Sequence, residues 1–158
     1  MKNLFDIKDK VVVITGGTGV LGKAIAFHLA EEGAKVVVLG RKAETGDAIA
    51  REIKANGGEA MFLTTDVTNR ELLEQNLADI LKTYGRIDAL LNAAGGNMPG
   101  ATIAPTGTFF DLKIEEFQRV LELNLTVPYC LHKSSSNQWW SRRQALLSTS
   151  PAWLLSAP

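Results

Sequence analysis

Residues 10–22, Lys-Val-Val-Val-Ile-Thr-Gly-Gly-Thr-Gly-Val-Leu-Gly, constrain the fold more than any other stretch of this chain. The first six are short, continuous and β-branched, the pattern of a parallel strand buried on both faces. A glycine cluster follows. Residues 20–32 then carry apolar side chains at helical spacing (Val20, Ala24, Phe27, Leu29, Ala30) and stop at Gly33. Strand, glycine loop and helix in that order open a βαβ unit. Within the loop, Gly17-x-Gly19-x-x-Gly22 has the spacing of a dinucleotide fingerprint in the context that gives such a motif meaning. Glycine allows the tight turn and lets backbone N–H groups approach a pyrophosphate, while the helix N-terminus supplies positive potential. A glycine-rich turn without a ligand is the competing reading, and the strand–turn–helix context argues against it.

The alternation continues. Residues 36–39 predict a second buried strand, 44–55 a charged helix ending at Asn56-Gly57-Gly58, and 60–64 a third strand. Thr68-Asn-Arg-Glu71 has the form of a capping box that opens a helix through Tyr84, closed by Gly85. Residues 88–92 predict a fourth strand, 96–110 a Gly/Pro/Thr-rich loop, and 111–126 an amphipathic helix. Strict alternation with right-handed crossovers predicts an α/β fold. The expected architecture is a Rossmann-type doubly wound parallel sheet with helices on both faces, incomplete at its C-terminal side. A ligand crevice is expected at the carboxyl ends of the strands.

At 158 residues the chain is one domain or part of one, with 17 basic and 17 acidic side chains, so nothing argues for electrostatic nucleic-acid binding. The lone Cys130 excludes a disulfide framework and suits a reducing, cytoplasmic setting. The N-terminus lacks an apolar h-region, and no apolar run is long enough to span a bilayer, so no membrane partner is expected. His28 and His132 have no partners at metal-ligand spacing, and no metal site is expected.

With these motifs in order, residues 8–125 resemble the short-chain dehydrogenase/reductase family. The loop Thr15-Gly-Gly-Thr-Gly-Val-Leu-Gly22 has the TGxxGxxG spacing of the longer, epimerase-like members, because Val20 stands where single-domain members have Gly. The rest of the chain resembles the single-domain branch. The resemblance implies cofactor contacts from Gly16, Thr18, Gly19, Val20, Leu21 and Gly22. Where a carboxylate would bind the ribose hydroxyls of NAD, this chain has Gly40 followed by Arg41 and Lys42. A guanidinium suits a 2′-phosphate, so NADP is favoured over NAD. The competing reading makes Arg41 and Lys42 a solvated helix start.

Asp66 and Val67 match the family position that contacts adenine, with a helix-start acid beside the Thr68 cap as the rival reading. Asn92, Ala93, Ala94 and Gly95 match the family's NNAG element, with Ala93 replacing its second Asn; small residues admit the nicotinamide ribose, and Asn92 can tie the strand end. Asn124 matches the catalytic Asn that completes the family's proton relay, its rival role being a helix-bending Asn bonded to nearby backbone. The resemblance also implies a small carbonyl or alcohol substrate and a homo-oligomer for the intact protein, assembled in part through the helix that holds Asn124. The loop 95–102 with Phe109-Phe110 is similar to members that handle sugar acids such as mannonate or fructuronate, with a generic lid as the equal rival reading.

The vocabulary changes after Thr126. From Val127 onward there is no Gly, Asp or Glu, and all three tryptophans (Trp139, Trp140, Trp153) lie there. The chain therefore divides into a dinucleotide-binding domain, 1–126, and an aberrant tail, 127–158, outside the family fold. Tyr129 to Lys133 spells the family's Tyr-x-x-x-Lys, but it follows Asn124 on the same expected helix, whereas the catalytic pair belongs on another helix across the sheet. It is a decoy. One base restored after Thr126 lets the run read Gly-Thr-Val-Leu-Pro-Thr-Gln, and residues 148–153 then permit Asn-Ile-Ser-Ser-Met; a frameshift is the expected origin. The resemblance also calls for a substrate-orienting Ser ahead of that pair; without the Ser and Tyr-x-x-x-Lys the chain is expected to be inactive, with its fourth strand near an apolar edge that is open or partly covered by the Trp-bearing tail. The rival class is a non-catalytic nucleotide-binding or interaction module.

Overall fold

The computed structural model describes residues 6–127 and 146–149. Five strands, β1 (Val11–Thr15), β2 (Lys35–Gly40), β3 (Glu59–Thr64), β4 (Ala89–Asn92) and β5 (Leu146–Thr149), pair in parallel in the order β3-β2-β1-β4-β5. Helices α1 (Val20–Glu31), α2 (Ala43–Ala55) and α3 (Arg70–Tyr84) connect the first four. The doubly wound α/β expectation holds. The chain winds outward from β1 to β3, then returns to the other side of β1 as β4. That reversal lies between β1 and β4, where an open α/β sheet leaves a crevice beyond its strand ends.

The β-branched runs behave as their pattern demands, since a strand buried on both faces needs apolar residues throughout. Val12, Ile14, Val36 and Val38 pack on one face with Ala26, Ala30, Ile49 and Ile53, and Val11, Val13, Val37 and Leu39 pack on the other with Ile80 and Leu90. The buried stripe of α1 is Gly22, Ala26 and Ala30, not a line through Val20 and Ala24, both of which are exposed. Spacing of four places these three small residues on one face, and their size lets the helix sit close to the sheet.

Several boundaries differ from expectation for local reasons. Asn69, not Thr68, caps α3: its Oδ1 accepts from Leu72 N at 3.0 Å. Thr68 is turned the other way, its N–H and its hydroxyl both donating to Asp66. Gly85, at φ 70°, closes the helix as expected. The loop 96–110 contains a 3-10 turn at Pro99–Ala101, and a second at Phe109–Asp111 delays α4 to Ile114–Leu121. A π-helical turn, Glu122–Thr126, follows α4. Of the two readings for the edge beside β4, open or covered by the tail, the second holds: β5 comes from the tail and pairs Leu146 with Ala89 and Thr149 with Asn92. Backbone pairing needs only an extended partner of matching length, and Leu-Leu-Ser-Thr supplies one.

Candidate dinucleotide-binding site

The glycine loop has a closed side and an open side. Gly16 holds φ +65°, and a Cβ there would sit 2.6 Å from Ala94 N and 2.7 Å from Ala93 O. The turn after β1 is thus stacked backbone against backbone on the turn after β4. Thr15, itself buried, fastens the pair: its carbonyl accepts from Ala93 N and its Oγ1 from Ala94 N, both at 3.2 Å. Gly22 closes on the same point, because a Cβ there would collide with the Gly16 carbonyl.

Gly19 is different. Its N–H donates to Gly16 O, and an added Cβ would meet only that oxygen, at 3.2 Å. It is also the N-cap of α1, and no side chain caps the helix. The first-turn N–H groups of Val20, Leu21 and Gly22 therefore lack intrahelical partners. Val20 is 95% exposed, which leaves this helix end accessible to an anion. A loop sealed behind and open in front is the shape a pyrophosphate needs.

At the end of β2, the Thr18 side chain covers Gly40, where an added Cβ would lie 2.6 Å from Thr18 Cγ2. Arg41 and Lys42 are exposed, and Lys42 is the N-cap of α2. Both lie at that helix start, so the solvated-helix-start reading and the cofactor reading share one location. Thr65 N donates to Gly40 O at 2.9 Å, setting Arg41 and Asp66 on neighbouring strand ends. Asp66 Oδ1 accepts the Thr68 hydroxyl at 2.7 Å and the Thr68 N–H at 2.9 Å. These two bonds, with a smaller attraction from Arg41, hold its carboxyl below the usual 3.8. Asp66 thus fixes the turn ahead of the Asn69 cap through Oδ1, and its Oδ2 has no partner among the described residues. Val67 beside it is half-buried.

Asn92 is 2% exposed, yet neither polar atom of its carboxamide has a partner among the described residues. The tie expected from Asn92 is made by Thr15 instead, the first residue of the glycine motif, whose part in holding the turn after β4 the spacing did not reveal. Beyond Ala93 and Ala94, Gly95 is exposed and Gly96 is clamped by Asn124. Asn124 Nδ2 donates to Gly96 O and to Val120 O, each at 2.8 Å, and its Oδ1 accepts from Gly96 N at 3.2 Å. The π-helical turn makes this arrangement possible. It shifts the backbone bonds one residue along, as in Val127 N to Glu122 O, and so frees carbonyls that a regular helix would use. The Asn124 carboxamide is thereby spent on backbone, combining the helix-bending role with a hold on the loop beyond β4.

Tyr129, Lys133, Cys130, His132 and the tryptophans lie outside the described residues. Among the described residues the only tyrosine is Tyr84, which lies with Lys35 at the amino end of the sheet, 5.9 Å from ring centroid to Nζ. Burial, then the nearby Glu59 charge, pushes its phenol above 10.0. Both the place and the direction are wrong for proton transfer in the crevice. Among these residues no group of His, Cys, Asp and Glu could hold a metal, and no helix is long and apolar enough to cross a membrane.

A sequence model of the family described as short chain dehydrogenase matches residues 10–147. The chain belongs to that family. An uncharacterized oxidoreductase of Bacillus subtilis (strain 168), UxuB, is 43% identical over 129 residues, covering 77% of this chain and 46% of the relative. The chain thus spans about half the length of the curated relatives it matches. Among solved structures, one from Haemophilus influenza provisionally assigned as a D-mannonate oxidoreductase, with bound NAD, is 30% identical with a TM-score of 0.76, covering 84% of this chain and 51% of that one. A metagenomic short-chain oxidoreductase in complex with NADP is 29% identical with a TM-score of 0.77, covering 90% of this chain and 61% of the other. Members of this dehydrogenase family with either nicotinamide dinucleotide bound thus share the fold, and a nicotinamide dinucleotide is the cofactor class that goes with it.

Proposed function

We propose that this chain is the dinucleotide-binding half of an NADP-preferring short-chain oxidoreductase. Its intact form would transfer hydride between nicotinamide and a carbonyl or alcohol carbon. The observation that supports this most is the interlock of Gly16 with Ala93 and Ala94 beside the uncapped start of α1. In this reading Gly16, Thr18, Gly19, Val20, Leu21 and Gly22 receive the pyrophosphate, their N–H groups meeting its charge. Asp66 and Val67 contact adenine, Arg41 faces the 2′-phosphate, and Asn92, Ala93, Ala94 and Gly95 lie beneath the nicotinamide ribose. Gly40 supports the NADP preference, because a carboxylate there would favour free ribose hydroxyls. Similarity to the D-mannonate assignment, together with the loop 95–102 and the exposed Phe109 and Phe110, favours a sugar-acid substrate for the intact protein.

Of the proton-transfer half only Asn124, the family's relay Asn, is present in this reading, held in place by its bonds to Gly96 and Val120, and Tyr129 with Lys133 remains a decoy. Fluorescence titration should show NADPH binding about tenfold tighter than NADH, as one lost charge-assisted contact allows. NADPH oxidation with carbonyl or keto-acid substrates should stay at the blank rate. Equal affinity for the two dinucleotides would remove the Arg41 assignment, and clear turnover would remove the assignment of inactivity. A cytoplasmic location and loss of the parent's homo-oligomer complete the proposal.

A non-catalytic interaction module is favoured by one observation, the exposed stripe of Phe109, Phe110, Ile114, Phe117, Leu121 and Leu125. A module should stay monodisperse while binding NADPH tightly; a truncated enzyme should bind weakly and aggregate. We further propose that residues after Thr126 derive from a shifted frame. Sequencing the locus decides it: an unbroken frame, with no dehydrogenase continuation in the neighbouring one, would sink the idea.

A further inference from the structure

Asn76, on α3, is 6% exposed and points its carboxamide at the end of β3. Its Nδ2 donates to Thr65 Oγ1 at 2.6 Å and to Thr64 O at 3.2 Å. The Thr65 hydroxyl passes its own proton to Leu63 O at 3.0 Å, and Thr65 N donates to Gly40 O at 2.9 Å. Thr65 is 1% exposed. Three consecutive backbone positions at the end of β3 are therefore held by one buried chain of bonds, which also reaches the end of β2. Asp66 is the next residue. Its Oδ1 is consumed by Thr68, so the direction of Oδ2 follows from where the turn leaves β3.

We propose that Asn76 and Thr65 form a latch that aims Asp66 Oδ2 at the amino group of the adenine ring, making Asn76 a positioning residue for base recognition. The inference rests on the cofactor reading above and adds to it a residue that touches no ligand. A polar side chain buried in a helix face is costly unless it is bonded, and here its bonds all go to the segment before Asp66. If the latch were only a fastening for α3, loosening it would weaken every ligand alike. If it aims Asp66, loosening it erases discrimination between adenine, whose amino group donates to a carboxylate, and hypoxanthine, whose oxygen in that place repels one.

The test is titration of the full chain with NADP+ and with its hypoxanthine counterpart. The wild type should prefer the adenine form by about tenfold, the value of one charge-assisted hydrogen bond. Thr65→Val, nearly isosteric, and Asn76→Leu should bring that ratio to within about twofold of unity, while Thr65→Ser, which keeps the hydroxyl, should retain it. Melting curves identify which variants fold, and Thr65→Val alone suffices should Asn76→Leu not fold. A wild-type preference that survives intact in the folded variants overturns the latch and leaves the adenine contact standing. A wild type that binds neither form, or both equally, overturns the adenine contact and the latch together.

Discussion

Gly16→Val is expected to abolish dinucleotide binding and to lower the melting temperature by roughly 10 °C, corresponding to a loss of at least about 3 kcal/mol. Two penalties combine. Gly16 sits at φ +65°, a conformation that a β-branched residue adopts only with strain. Its Cβ would also overlap Ala94 N and Ala93 O at 2.6 and 2.7 Å, and those are backbone atoms at the end of a central strand. They cannot rotate away. Relief requires parting the β1 and β4 turns, which removes the Thr15 bonds to Ala93 and Ala94 as well. Gly19→Ala is the control, because its backbone, at φ −79°, suits any residue and its Cβ space is nearly open. That change should cost at most about 1 kcal/mol of stability, the usual range for an N-cap substitution. Circular dichroism melts compare the two; a Gly16→Val protein that melts with the wild type would refute the interlock.

Asp88→Ala is expected to lower stability by about 2–4 kcal/mol, for a reason at the other end of the sheet. Asp88 is 9% exposed, and its Oδ2 accepts from Val11 N at 2.9 Å while its own N–H donates to Val11 O at 2.8 Å. Its Oδ1 takes the Arg86 guanidinium. This reciprocal pair starts β1 and β4 in register. Removing the carboxylate orphans the N–H of a buried strand residue and leaves a half-buried guanidinium without its counter-charge. Asp88→Asn, which keeps one acceptor for Val11 N, should cost about 1 kcal/mol. Urea denaturation reads both, as a lower midpoint at unchanged slope. Equal midpoints for Ala and wild type would show that Val11 N finds another partner.

Much of the fold was legible because its signals are local. A continuous β-branched run, glycines at fixed offsets and a stop at Gly33 or Gly85 act within a few residues, and chain order then restricts the topology. The proposed cofactor positions could be named for the same reason, since each lies close after a strand. The misses share another cause. Whether Thr68 or Asn69 caps α3 depended on Thr68 turning toward Asp66. Whether Asn92 ties its strand depended on Thr15, far away in sequence and adjacent only across the sheet. The buried face of α1 followed from how near small residues let it approach, which the list of apolar positions did not contain.

The amino-acid sequence by itself determined that this chain builds alternating strands and helices with a glycine-rich turn at the first crossover, and that its chemical vocabulary changes after Thr126. Strand propensity, turn chemistry and spacing settle those matters over short distances. Only the tertiary structure decided that Gly16 must be glycine because Ala93 and Ala94 lie against it, and that the Asn124 carboxamide is committed to Gly96 and Val120. It also decided that Leu146–Thr149 lies along β4, and that Asn76 reaches the strand end before Asp66. These contacts join residues far apart in the chain, and their partners are chosen by the order of strands in the sheet.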